Sequence, residues 1–139
     1  MLTRRSLEFI GQLHALPEPP AIGLLTGNIR LGAEIKLRRY ELWEVFQTGG
    51  FADDHEDRNQ IAAIAQQRGS QLLGASLRGE QILVIGDTPY DIECARAINA
   101  RVLAVATGGA RSDELEAHHP DWLVEDLTRV TAEKVCKQC

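Results

Sequence analysis

Apolar residues along this chain follow two rhythms. Near the start, Leu7, Ile10, Leu13 and Leu16 recur at helical spacing, which predicts an amphipathic helix over about residues 3 to 15. The Pro17-Glu18-Pro19-Pro20 run ends it, because proline lacks a backbone N–H and crowds the turn before it, and leaves a rigid connector. Ala21-Ile22-Gly23-Leu24-Leu25 is a short continuous apolar run, the pattern of a buried strand. It stops at Thr26-Gly27-Asn28, which has turn chemistry. A helix is expected from about residue 30 to 39, with Leu31, Ile35 and Leu37 on or near its inner face. Leu42, Trp43, Val45 and Phe46 supply bulky packing, and Gly49-Gly50-Phe51-Ala52-Asp53-Asp54 reads as a strand end and loop. A long helix begins near Asp57 and carries Ile61, Ile64 and Ala65, with Gly69 and Gly74 leaving its far end open.

The clearest strand is Gln81-Ile82-Leu83-Val84-Ile85. It ends at Gly86-Asp87-Thr88-Pro89, and a helix over about residues 90 to 98 follows. Pro89 falls in its first turn, where a missing N–H costs no helical bond. Val102-Leu103-Ala104-Val105-Ala106 is a further strand, ending at Thr107-Gly108-Gly109. A short helix from about residue 112 to 118 and a strand at Trp122-Leu123-Val124 complete the pattern. Strands that alternate with helices and are apolar throughout predict an α/β fold. Its sheet would be mostly parallel, covered on both faces by helices and joined by right-handed crossovers. One domain is expected over the 139 residues, with 1–20 as lead-in helix and connector and 130–139 as a polar tail.

Composition narrows the function. Hydrophobic residues at 44% and charged residues at 25% are the balance of a globular chain and exclude a disordered one. A net charge of −5 argues against nucleic acid as a partner and against a basic membrane-binding face. No apolar run approaches the ~20 residues of a membrane span. Glu8 and Gln12 interrupt the segment behind Arg4-Arg5, so no signal peptide is expected. The three cysteines, an odd number, imply reduced thiols and a cytoplasmic setting. Cys136 and Cys139 have C-x-x-C spacing but no second ligand pair for zinc, and they read as part of the tail.

In open parallel sheets, ligands bind beyond the carboxyl ends of the strands. Thr26 offers a hydroxyl there, Gly27 lets backbone N–H groups approach an anion, and Asn28 can cap the next helix. By itself such a turn is more often plain helix capping. Asp87 stands at a strand tip and Asp91 four residues on, in the first helical turn, where the helix dipole stabilises a carboxylate. Two such carboxylates suit a hard divalent cation such as Mg²⁺. The alternative is a turn former and a helix-start acid.

Together, a strand ending Leu24-Leu25-Thr26-Gly27-Asn28 and a later one ending Val84-Ile85-Gly86-Asp87-Thr88-Pro89-Tyr90-Asp91 resemble the second and fourth motifs of the haloacid-dehalogenase-like (HAD) hydrolases. The likeness is greatest to their phosphoglycolate-phosphatase-like branch, and it runs from about Ile22 to Leu127. It implies a Rossmann-like HAD core and Mg²⁺-dependent hydrolysis of a phosphate monoester. In that reaction an aspartate attacks phosphorus and water cleaves the aspartyl-phosphate, while the cation offsets charge repulsion. It further implies that Thr26, with the backbone at Gly27 and Asn28, binds the phosphoryl group, that Asp87 is a metal ligand, and that Asp91 supports the metal shell. The family's basic residue, commonly a lysine opening the helix after the second loop, corresponds here to Arg58, with Lys36 as runner-up.

The family's first motif is D-x-D, supplying the nucleophile and the general acid/base, and it occurs nowhere in this sequence. Asp53-Asp54 has the wrong spacing and lies in the wrong loop. The cap that shapes the substrate pocket is missing too. The expected fold is therefore a HAD core lacking the first, nucleophile-bearing strand and the cap. Three functions follow. The chain is a degenerate domain that keeps a phosphate and Mg²⁺ site without turnover, or an enzyme completed by a partner chain or upstream segment, or a non-enzymatic module that oligomerises through an open sheet edge. In the family the first strand separates the strands of the second and fourth motifs. Either the Ile22–Leu25 strand then pairs directly with the Ile82–Ile85 strand, or a second chain, most simply in a homodimer, fills the gap. A phosphorylated small molecule is the expected ligand. Elsewhere, His14, His118 and His119 read as surface residues, and Trp43 and Trp122 as core. His55, in the loop before Arg58, could reach the site but reads more simply as a loop residue, and Cys94, beside Ala95 and Ala97, reads as buried.

Overall fold

The computed structural model describes residues 4–106 and 111–136, so the Thr107-Gly108-Gly109 strand end and Cys139 lie outside the described residues. In chain order the elements are α1 (Arg4–His14), β1 (Gly23–Leu25), α2 (Arg30–Arg38), β2 (Thr48–Gly50), α3 (Arg58–Leu73), β3 (Leu83–Gly86), α4 (Pro89–Ala97), β4 (Arg101–Val105), α5 (Ser112–Glu116), β5 (Trp122–Val124) and α6 (Ala132–Cys136). They fall into two compact units, Ala21–Arg78 and Met1–Pro20 with Gly79–Cys139.

In the Ala21–Arg78 unit, β1 and β2 run parallel, with Leu24 opposite Gly49 and Leu25 opposite Gly50. α3 packs on this pair through Ile61 and Ala62, each 1% exposed. The approach is close, since a Cβ on Gly50 would stand 2.7 Å from the Ile61 carbonyl oxygen. α3 starts at the Asp57 cap, whose carboxylate accepts the Asn59 N–H at 2.8 Å. It stops at Gly74, which takes the left-handed conformation (φ +66°) that glycine adopts without steric cost. α2 buries Ala33 and Leu37, while Leu31 and Ile35, expected inside, are 62% and 52% exposed. Each stands two residues from a buried position, about 200° around the helix, and so on the opposite face.

In the other unit, β3, β4 and β5 form a parallel sheet with β4 in the middle. Val102 to Val105 of β4 are buried. α1 is amphipathic as expected, but its buried face centres on Phe9 and Leu13, spaced i, i+4, and Leu7 is 44% exposed. Residues 130–136 are no loose polar tail. Val130, Ala132 and Val135 are buried, α6 packs on α1, and the Gln12 side-chain carbonyl accepts the Ala132 N–H at 3.0 Å. Arg96 ties the sheet's end together. Its guanidinium donates to the carbonyls of Ala100 and His119 and to Asp121, which in turn accepts the Val102 N–H.

Within its own unit β1 is laddered to β2, and within the other unit β3 is laddered to β4. β3 is not covered on both faces. Val84 is buried, but Ile85, on the other face, is 39% exposed. Among the described residues, no helix is long and apolar enough to cross a membrane.

Candidate functional site

The turn after β1 is braced from several sides. The Asn28 N–H donates to the Thr26 hydroxyl oxygen at 3.1 Å, and the Asn28 carbonyl accepts the Ala52 N–H at 2.9 Å. A hydroxyl that accepts in this way keeps its own proton to donate elsewhere. Asn28 does not cap α2. Ile29 takes the cap position, one residue further on, and the Arg30 N–H is satisfied instead by the Asp53 carboxylate at 2.5 Å. The cap thus comes from the loop after β2, which no local pattern announces.

Arg58 opens α3 beside this turn. A Cβ built on Gly27 would lie 3.9 Å from Arg58 Nη1. The fold therefore brings Thr26, Gly27, Asn28 and Arg58 together within one unit, whereas Lys36 is exposed on α2. His55 does not join them on present geometry. Its Nδ1 accepts the Asp57 N–H at 2.9 Å, bracing the loop into α3.

In the other unit, β3 ends at a turn organised by one carboxylate. Asp91 is 8% exposed, the one buried polar or charged residue among those described. Its Oδ2 accepts three hydrogen bonds, from the Asp87 N–H at 3.1 Å, the Thr88 N–H at 3.0 Å and the Thr88 hydroxyl at 3.0 Å. Gly86 makes this wrap possible, because a Cβ there would collide with the Asp91 carboxyl group. Asp87 is half-buried at the strand tip. Among the described residues, no cluster of three or more His, Cys, Asp or Glu forms a cation cage. Mg²⁺ seldom needs one, since it takes one or two carboxylates and completes its shell with water and substrate phosphate. Asp87, half-buried at the strand tip, fits that mode.

A feature that sequence reasoning missed lies beside β2. A cleft of about 500 Å³ is lined by Arg30, Trp43, Phe46, Thr48, Phe51 and Arg68, among others, and by none of the predicted site residues. The Arg30 guanidinium sits 5.7 Å from the centre of the Trp43 ring, so Trp43 is half-buried in a cleft wall and not core. Arg68 grips Asp54 through two bonds of 2.7 and 2.6 Å and also donates to the Gly49 carbonyl at 2.9 Å. The Arg68 guanidinium holds the Asp54 carboxyl below the usual carboxylate range, against an opposing effect of burial. Asp54 in turn raises Arg68.

Residues 58–130, more than half of the chain, match the model of the family described as HAD-hydrolase-like. A curated protein carried under the provisional name pyrophosphatase PpaX, from Caldanaerobacter subterraneus subsp. tengcongensis, is 35% identical over 60 residues. That stretch is 43% of this chain and 26% of that protein. A haloacid dehalogenase-like hydrolase from Streptococcus pneumoniae superposes with a TM-score of 0.77 at 17% identity, covering 93% of this chain and 58% of that one. A protein described as a predicted phosphoglycolate phosphatase from Haemophilus somnus superposes with a TM-score of 0.76 at 18% identity, covering 97% and 56%. The chain thus shares their fold and spans under three fifths of their length.

Proposed function

Because the chain belongs to the HAD-hydrolase-like family, we propose that it carries the phosphate-gripping and metal-holding residues of a phosphate-monoester hydrolase and, as these 139 residues stand, does not turn over. The observation that carries the reading is the placement of Arg58 against the Thr26–Asn28 turn. A hydroxyl with a proton to donate, a glycine that admits close approach and a guanidinium form a small oxyanion grip. Arginine there can take two phosphoryl oxygens at once, where lysine offers a point charge. Asp87 would hold Mg²⁺ together with water and the substrate phosphate, and Asp91 would support it. The cation would offset repulsion between the phosphate and an attacking carboxylate. That carboxylate is what the sequence lacks, since it contains no D-x-D. An odd cysteine count fits a reducing, cytoplasmic setting.

A second reading supplies the missing aspartate on a strand from a partner chain or an upstream segment, with a homodimer as the simplest assembly. It is favoured by the exposure of Ile85, an apolar residue in a strand written for burial, and by β3 being laddered, among the described residues, to β4 alone. Both readings meet the same experiment, Mg²⁺-dependent hydrolysis of an aryl phosphate by the purified chain beside its Asp87→Asn variant. No rate above the variant is expected. Hydrolysis that Asp87→Asn abolishes would overturn the inactive assignment. A rate restored only by adding a D-x-D-bearing chain would establish the second reading.

A further inference from the structure

We infer that Asp91 serves the metal site from behind, as a positioning residue that clasps the β3 tip, with Thr88 as its partner and Asp87 as the carboxylate presented to the cation. This rests on the phosphohydrolase reading above. A carboxylate oxygen has about two lone-pair sites, and Asp91 Oδ2 already accepts from the Asp87 N–H, the Thr88 N–H and the Thr88 hydroxyl. Three donor hydrogens directed at that atom present positive charge where a cation would have to come within about 2.1 Å. Oδ2 therefore faces the backbone of its own turn.

The turn is shaped to keep it there. Gly86 has no Cβ because the Asp91 carboxyl occupies that space. Pro89 fixes the backbone where α4 begins, and the buried Ile92, Cys94 and Ala95 anchor the helix from which Asp91 projects. The consequence falls on Asp87. With its N–H held by a side chain from a packed helix, its backbone direction at the strand tip is set before any ligand arrives, so the cation meets a preorganised carboxylate. Thr88, otherwise an ordinary helix cap, contributes both of its donors to the same oxygen and belongs to the device.

The two aspartates should respond differently to the same isosteric change. Asparagine at 91 retains an acceptor oxygen for the clasp, whereas asparagine at 87 removes the charge the cation needs. The test is a Mg²⁺ titration of the 139-residue chain followed by amide NMR, together with hydrogen exchange of the Asp87 and Thr88 amides without metal. The variants are Asp87→Asn, Asp91→Asn, Asp91→Ala and Thr88→Val. Asp87→Asn is expected to abolish the Mg²⁺ response. Asp91→Asn should keep amide protection and weaken Mg²⁺ by less than about ten-fold. Asp91→Ala should lose the protection and weaken Mg²⁺ by about 10–100-fold, the range for removing a group that orients a ligand. Thr88→Val should fall between them. A loss of Mg²⁺ response in Asp91→Asn as complete as in Asp87→Asn would overturn the inference, and so would equal amide protection in wild type and Asp91→Ala. Absence of any Mg²⁺ response in wild type would instead sink the phosphohydrolase reading, while the metal-free exchange still decides whether the clasp exists.

Discussion

Replacing Asp54 by asparagine removes one charge from the bidentate pair with Arg68 while keeping the side chain's shape. The two bonds, at 2.7 and 2.6 Å, join the loop after β2 to the middle of α3, and Asp54 also accepts the Phe51 N–H at 2.9 Å. Hydrogen bonds to charged groups contribute about 1.5–3 kcal/mol when shielded, and exposed ion pairs about 0.2–1 kcal/mol. The Asp54 side chain is 17% exposed and that of Arg68 is 40% exposed, so the pair falls between these limits. We expect a loss of about 1–2 kcal/mol at neutral pH. With a urea dependence of about 2 kcal/mol per molar, that moves the unfolding midpoint down by roughly 0.5–1 M. The pH dependence gives a second reading. Asp54 has a folded pKa below its unfolded value of about 3.9. Its contribution is therefore complete above that value and fades as pH falls through the folded pKa. Wild type and variant should differ at pH 7 and converge in acid. Equal midpoints at pH 7 would refute the pairing. A gap that persists unchanged in acid, below the folded pKa, would show that packing and not charge was lost.

Three further perturbations probe the framework. Gly50→Ala drives a methyl group against the Ile61 backbone, and overpacking of this kind should cost about 1–3 kcal/mol in denaturant unfolding. Gly11→Ala, on the open face of α1 with nothing within 4 Å of its Cβ, should stabilise by up to about 1 kcal/mol. Arg96→Ala strips donors from Ala100, His119 and Asp121 together and should cost about 1–2 kcal/mol, with faster amide exchange at the ends of β4 and β5. On the proposed reading inorganic phosphate should raise the melting temperature of the wild-type chain, and Arg58→Ala should remove that shift while Lys36→Ala leaves it in place.

β1, β3 and β4 and the order of helices were legible in the sequence because buried parallel strands are continuous apolar runs, and these three run out into Thr26-Gly27-Asn28, Gly86-Asp87-Thr88 and Thr107-Gly108-Gly109. Helix faces were less so. In α2 the choice between Leu31/Ile35 and Ala33/Leu37 depends on which side meets the rest of its unit, and the larger residues lost to a small alanine that permits close approach. Of the site, the turn after β1 and the paired aspartates could be read from their motif. The bracing could not. The Asp53 cap on α2 spans 23 residues of sequence, and the Arg68 grip spans 14. Such contacts exist only once two strands and a helix are in place.

Those two bracing carboxylates bear on the missing nucleophile. Asp53 and Asp54 lie in the same unit as the Thr26–Asn28 turn, and a chain lacking D-x-D would have to press another carboxylate into service. Each already has structural work. Asp53 accepts the first N–H of α2, and Asp54 has both oxygens on Arg68 and one on the Phe51 N–H as well. A carboxylate held by a guanidinium is stabilised as the anion, and that stabilisation must be given up as its oxygen attacks phosphorus. Recruiting either residue would also unfasten the loop that braces the Thr26–Asn28 turn, through the Ala52 N–H to the Asn28 carbonyl. The same acids that make the turn rigid are thereby unsuited to act across it, and on the phosphohydrolase reading neither Asp53 nor Asp54 replaces the missing nucleophile.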